Sequence, residues 1–420
     1  MSYTGGNGGA YEASTAGSSG VEGLTATLAA RKLASSSGTL VYIISGIPTS
    51  VGTATFNLSL GGQSFTVTIV AAAATDATIT PYILIKGGNI NITTTGDKGN
   101  AIKSERYTTI GTADAVTLNV SGKGSKGIKT GGDFTLTAVT IKITVSGAAY
   151  YVAADADISA AAGVNCDKNL AIKRRNLTIA ATGLGGKGIS VDGTATISGG
   201  STNITVSGAN YTYTTALTSD AKGFKSDGAF IMNNGDLTIS ATDDGLKSDA
   251  SITVNDGSIT VTKSYEGMES IFITINGGIS NLTATNDGVN TSYGTVSGGT
   301  ESNDNSGLTV NGGVLIATGS DAIDSNGNFT IKGGIVISNG NEDIDVNGSF
   351  LINGGVLIGA EPSNNMNKAM GAAFTQVGMF IKSSVQVATT SVIHIEDATG
   401  KELITFKPKK CFCLLSLLCS

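Results

Sequence analysis

The chain has 420 residues, 59 of them glycine and only 4 proline. That is about twice the ordinary share of glycine, with too little proline for collagen or for a Pro/Gly-rich disordered chain. Apolar residues make up 40%, enough for a core, whereas 5% aromatic with no tryptophan speaks against a compact enzyme core, and a formal charge of −6 disfavours nucleic acid as a partner.

In chain order, the opening MSYTGGNGGAYEAST is polar and small and lacks the charged and apolar regions of a secretory signal. The residue types suit an extracellular or cell-surface β protein, so the missing signal suggests a fragment or an internal start. Residues 1–72 predict a small β-sandwich module, its first 20 residues flexible. LVYIIS, ATFNLSL and SFTVTIV alternate as strands between Gly/Pro/Ser turns, and VEGLTATL reads as a further strand. Ala71–Thr75 is the expected linker. No apolar run approaches the ~18 residues of a membrane helix, so no membrane insertion is expected.

From residue 75 to 361 the chain repeats itself. A short phrase recurs: a charged or small residue, Gly or Ala, an aliphatic, a polar residue, and then an Asx-Gly or a variant of it. It reads NAIKSE at Asn100, KGIKTGG at Lys126, AGVNCD at Ala162, KGISVDG at Lys187 and KGFKSDG at Lys222. It continues as DGLKSD at Asp244, EGMES at Glu266, DGVNTS at Asp287, DAIDSNG at Asp321 and EDIDVNG at Glu342. A unit of 21–22 residues, lengthened in some copies, accounts for every interval. Alternating runs such as SITVNDGSITVTK and GLTVNGGVLIATG lie between the phrases, broken by N-G, N-D-G and G-G turns. One such unit cannot bury its apolar face, but stacked units can. The predicted fold is all-β: a right-handed parallel β-helix of about ten coils, about 50 Å long at ~4.8 Å per coil. Residues 362–410 are expected as a C-terminal β cap.

Stacking turns each position of the phrase into a column. Residues 98–225 carry 14 Lys/Arg against 8 Asp/Glu, and residues 243–361 carry 3 against 15. The first and fourth positions both switch from basic to acidic near residue 244. Strand alternation does not require the two positions to share a face. Like charges ~4.8 Å apart repel by ~1 kcal/mol in water and ~3–4 kcal/mol at an effective dielectric of 20. Calcium, which takes 6–8 oxygens in loose geometry, would relieve that repulsion. The candidate ligands are Asp243, Asp244, Glu266, Glu269 and Asp287, with a second group of Asp321, Asp324, Glu342, Asp343 and Asp345. A merely solvated acidic face is the other reading. Asp167, Asp192, Asp227, Asp249, Asn326 and Asn347 form a turn column best explained as architecture.

Lys222, Lys225 and Lys247 stand at the charge switch, placed either to hold a sugar carboxylate or simply to balance nearby aspartates. Tyr150 and Tyr151 in one long insertion, and Tyr211 and Tyr213 in its near-copy, could stack on sugar rings or cap the loops themselves. His394 lies in the alternating strand VIHIED, and no Ser-His-Asp order, P-loop or His/Cys metal set appears. Cys166 stands alone, while Cys411, Cys413 and Cys419 crowd the end with neither disulfide nor zinc spacing.

The repeat DDGLKSDASITVNDGSITVT…NGGVLIATGSDAIDSNGNFTIKGG resembles a family of secreted bacterial parallel β-helix carbohydrate-binding proteins, related in fold to the family 9 pectate lyases. The resemblance covers about residues 75–410. It implies calcium in the β-helix and non-catalytic binding of cellulose-like or polygalacturonate-like chains. The lyases' calcium site is a DDxxD arrangement; Asp243 and Asp244 match it, but Lys247 stands in the third place. A lyase acting on uronic-acid polymers and a structural adhesin or spacer without glycan affinity are the alternative functions. Residues 1–72 are similar to the Ig-like modules strung along large Bacteroidetes-type secreted proteins, which implies a monomer or a tethered part of a longer chain. The ending KPKKCFCLLSLLCS departs from the family's pattern, and an aberrant tail at 411–420 with its last strand lost is expected.

Overall fold

Runs of β-branched residues broken by Gly and Asx every few positions can form strands and corners, and little else. The computed structural model describes residues 2–71, 82–111, 115–137, 139–294, 302–362 and 377–419, and among them every regular element is a strand. None of the described residues forms a helix long and apolar enough to cross a membrane. The chain divides into two compact units at about residues 81–91.

In the N-terminal unit two three-stranded antiparallel sheets share one small core. One sheet joins Ser14–Gly17, Leu24–Leu28 and Tyr42–Gly46; the other joins Ser19–Gly20, Gly52–Leu60 and Gln63–Ala71. Val21, Ala26, Ala54, Phe56 and Leu58 are buried between them, and Tyr42 meets Phe65 edge-on at 5.6 Å. The VEGLTATL segment is a strand from Leu24. Leu60 pairs with Gln63, so the hairpin turns on Gly61 and Gly62 alone, both at positive φ (59° and 79°), as a two-residue hairpin turn requires.

The second unit is a parallel β-helix. Ten described strands, from Ile102–Ser104 to Glu342–Val346, carry the recurring phrase, one per coil. The full coils add two more strands each, as in Asp321–Ser325, Asn328–Ile331 and Ile335–Asn339. Coils pair in register, so the interior is a set of continuous columns. One runs Phe134, Leu170, Ala195, Phe230, Ile252, Ile273, Leu308, Phe329. Another runs Ile143, Ile179, Ile204, Ile239, Val261, Leu282. The long intervals are absorbed by hairpins that leave the coil, Tyr150–Val152 with Asp157–Ser159 and Tyr211–Thr214 with Leu217–Ser219. The third long interval includes residues 295–301, outside the described residues.

Where the last strand was expected to be lost, the tail forms one. Phe412–Cys419 is a strand lying antiparallel to both Val356–Glu361 and Val377–Val387. Phe412, Leu415 and Leu417 are buried with Ile358 and Ala360. An apolar, strand-forming tail therefore pairs with the edge of the last coil, which would otherwise present unpaired amides and carbonyls.

The second residue of the phrase explains part of the glycine excess. Gly188 has ordinary φ, yet a Cβ there would overlap both the Gly223 carbonyl and Ile204 Cγ2; Gly163 and Gly223 meet Ile179 and Ile239 in the same way. Gly188→Ala is therefore expected to destabilise the protein by ~1–3 kcal/mol, the usual effect of overpacking. Thermal melting of the variant checks this, and an unchanged midpoint would contradict the packing account.

Candidate functional site

The Gly-aliphatic pair of the phrase points both of its residues inward. In Lys187–Val191 the burial runs half-buried, buried, buried, half-buried, buried. Positions one and four thus come out on the same face, on either side of an inward pair. The fourth position forms an unbroken register column: Lys103, Lys129, Asn165, Ser190, Lys225, Lys247, Glu269, Asn290, Asp324, Asp345. At the first position Lys126, Ala162 and Lys187 pair in turn, as do Asp321 and Glu342. Between them, the amides of Gly188, Gly223, Gly245, Gly267 and Gly288 donate to the carbonyls of Lys222, Asp244, Glu266, Asp287 and Asp321 at 2.8–3.1 Å.

Where basic coils meet acidic ones, the charges interlock. Lys222 Nζ donates to Asp243 at 2.7 Å and also to Asp244. Lys247 Nζ donates to Glu269 at 2.6 Å, and Lys225 bridges Asp227 and Asp249, the latter at 3.1 Å. Although burial opposes its charge, Lys222 is held protonated by Asp244 and Asp243. Against the same desolvation, Lys222 and Asn210 hold the Asp243 carboxyl down at about 2. Asn210 Nδ2 donates to Asp243 at 2.7 Å while its Oδ1 accepts from the Ala221 amide, also at 2.7 Å.

One coil further on, the carboxylates of Asp244, Glu266 and Glu269 converge, one oxygen of each lying within 4.8 Å of the others. They are the one set of three so gathered among the described residues. Burial and mutual repulsion push the Asp244 and Glu266 carboxyls up. No hydrogen bond reaches the buried Glu266 Oε2 or Asn290 Oδ1. An all-carboxylate set with one buried oxygen lacking a partner, and the unpartnered Asn290 Oδ1 of the neighbouring coil, fits a hard divalent cation such as calcium. Asp287 continues the column; burial, then Asp324, Asp321 and Glu269, raise its carboxyl to about 7.

The remaining expected residues separate. Asp321, Asp324, Glu342 and Asp345 extend the acidic face, but Asp343 does not join it. It occupies the inward second position, beside Gly359 and in contact with Glu361, and burial followed by Glu361 pushes its carboxyl up. Tyr151 and Tyr213 stack on each other, 4.0 Å between centroids and 3° from parallel, tying the two hairpins together. Tyr150 lies under Lys98 Nζ at 5.9 Å, and Tyr211 packs beside Gly185. In the turn column, Asn347 Nδ2 donates to Asn326 Oδ1 at 3.0 Å, while Asp167, Asp227 and Asp249 act as lysine counter-ions.

Two lysines outside the expected set, Lys126 and Lys187, lie in a cleft of about 620 Å³ beside the first hairpin. Both belong to the first-position column. The signal for them was the absence of any acidic residue at that position in the coils around them, unlike Lys222.

A family model of carbohydrate-binding domain-containing proteins matches residues 176–267. That stretch holds Lys187, Lys222, Asp243, Asp244 and Glu266, and the match supports glycan binding by these coils. No curated protein and no solved structure matches the chain.

The buried carboxyls set a pH dependence. Asp287 binds its proton up to about pH 7 when folded but ordinarily releases it near 3.8. The folded state therefore holds more protons than the unfolded one in this window, and stability falls as pH rises from about 4 to about 7. In chelator the melting temperature is expected to be lower at pH 8 than at pH 5, with calcium restoring it more at pH 8. Calorimetry at the two pH values tests both halves.

Proposed function

We propose that the chain is a non-catalytic, calcium-assisted polysaccharide-binding protein, secreted or attached to a cell surface, acting on cellulose-like or polygalacturonate-like glycans. The observation that carries this reading is the convergence of Asp244, Glu266 and Glu269 beside the unpartnered Glu266 Oε2 and Asn290 Oδ1, within and just past the matched coils. These residues would hold the ion, whose charge would offset their repulsion and attract sugar oxygens or carboxylates. Lys222 and Lys247 already pair with two of these three carboxylates, Asp244 and Glu269, and offset part of the charge an ion would meet.

The same ion pairs argue against Lys222 or Lys247 as the base of a lyase. Abstraction of a sugar proton needs an uncharged amine, and Lys222 is held protonated while Lys247 is paired with Glu269. The expected outcome is no ultraviolet-absorbing unsaturated product from polygalacturonate.

Retention on insoluble cellulose and on polygalacturonate, with calcium and with chelator, tests the reading directly. Glu266→Gln should weaken calcium binding by on the order of ten-fold or more and lose the calcium-dependent shift in melting temperature. If calcium alters neither melting nor retention on any glycan, the calcium-assisted reading fails, and a chain retained on no glycan at all is a spacer.

A further inference from the structure

We infer that the cleft beside the first hairpin is a second, metal-independent subsite, in which Lys126 and Lys187 receive the carboxylates of an acidic sugar chain. The inference rests on the polysaccharide-binding reading above and adds to it a separate locus with its own chemistry.

The charge balance of the lysine columns singles out these two. Lys129, Lys222, Lys225 and Lys247 each end in an ion pair. Lys126 Nζ instead donates to the Gly124 carbonyl at 2.8 Å and Ser159 Oγ at 3.2 Å. Lys187 Nζ donates to the Asp220 carbonyl at 3.0 Å. Neither forms an ion pair among the described residues. An ammonium has three donors, so each retains capacity for a ligand oxygen. Half-buried cations whose hydrogen bonds go to neutral acceptors are costly, and an incoming carboxylate would reduce that cost. Burial, followed by neighbouring lysines, lowers both amines to about 8, in keeping with a missing counter-ion.

The cleft is built rather than incidental. Its wall is an insertion into the 21–22-residue unit, and Val152, Ile158 and Ser159 of that hairpin face the groove. The Tyr151–Tyr213 stack braces it against the second hairpin. Asn165 and Ser190 lie opposite on the coil surface. An apolar wall across from hydroxyl and amide groups suits a pyranose ring, which has apolar faces and a polar rim. Lys126 and Lys187 are two coils apart in register, about 10 Å along the axis, so a chain lying along the helix would offer them carboxylates from different sugar units.

Other acids line the cleft, and Asp220 acts on Lys187 from a distance, but among the described residues none forms an ion pair with either amine. Asp155, Asp157 and Asp192 are exposed to water, Asp227 pairs with Lys225, and the Asp220 carboxylate lies 3.8 Å from Lys222.

Titration of the full chain in chelator with polygalacturonate, unesterified and fully methyl-esterified, tests the inference. Wild type should bind the unesterified polymer without calcium and the ester poorly. Lys126→Gln and Lys187→Gln should each weaken this binding about ten-fold, as loss of one charge-assisted contact entails. The double variant should lose the chelator-resistant binding, melt no lower than wild type and keep its calcium-dependent retention, while Lys187→Arg should keep most affinity. Equal binding by the double variant and wild type, equal binding of the ester, or no chelator-resistant binding by wild type overturns the inference and leaves the calcium reading standing. Absence of binding to any glycan, with calcium present, overturns both.

Discussion

In-register stacking of parallel coils is the constraint from which the rest of this molecule follows. Each residue of a coil lies about 4.8 Å from its counterpart in the next, so a choice made once in the repeat is made along the whole column. For apolar residues this is favourable: Phe230, Ile252 and Ile273 extend one another's burial. For asparagine it is also favourable, since the amide can donate upward and accept from below. Asn311, Asn276, Asn255 and Asn233 form such a ladder, with bonds of 2.7–2.8 Å. For charge it is not, because a repeated lysine or aspartate meets its own kind.

The chain meets that difficulty in different ways along its length. In the basic coils the fourth-position lysines take counter-ions from the turn column, as Lys129 does from Asp167. At the switch the pairing runs between successive coils, 22 residues apart for Lys222 with Asp244 and for Lys247 with Glu269. Beyond the switch no lysine joins the column among the described residues, and carboxylates stack on carboxylates. What is not paired within the protein is left as raised carboxyls at Glu266 and Asp287 and as lowered amines at Lys126 and Lys187. These uncompensated groups are where a cation and an anion would each contribute most.

Much of this was legible from spacing alone. The recurring phrase set the number of coils, because a 21–22-residue interval with three alternating runs has few other solutions, and its fourth position predicted a column that the register follows residue by residue. Other features depend on where the backbone bends. Alternation could not show that positions one and four share a face, since the Gly-aliphatic pair between them breaks the period. The same bend turns Asp343 inward, although it reads as one more acid in EDIDV. The tail looked foreign because its Cys and Leu content differs from that of the repeat, yet an edge strand needs only apolar residues and free backbone groups. Lys126 and Lys187 resemble the other lysines in sequence; only the partners of their amines distinguish them.

The hairpins carry the same logic a step further. A solenoid of identical coils offers a flat face, on which a ligand can be held only by what projects from the columns. Extending two coils by some fourteen residues gives that face a wall, and the two extensions are near-copies whose tyrosines stack, so the wall is assembled by the same register rule as the core. Asn210, in the second extension, reaches Asp243 at the charge switch. The wall beside the lysines and the acidic coils are thus joined through one amide side chain. Asp243 shares the Lys222 ammonium with Asp244, so the second extension stands one ion pair away from the acidic cluster.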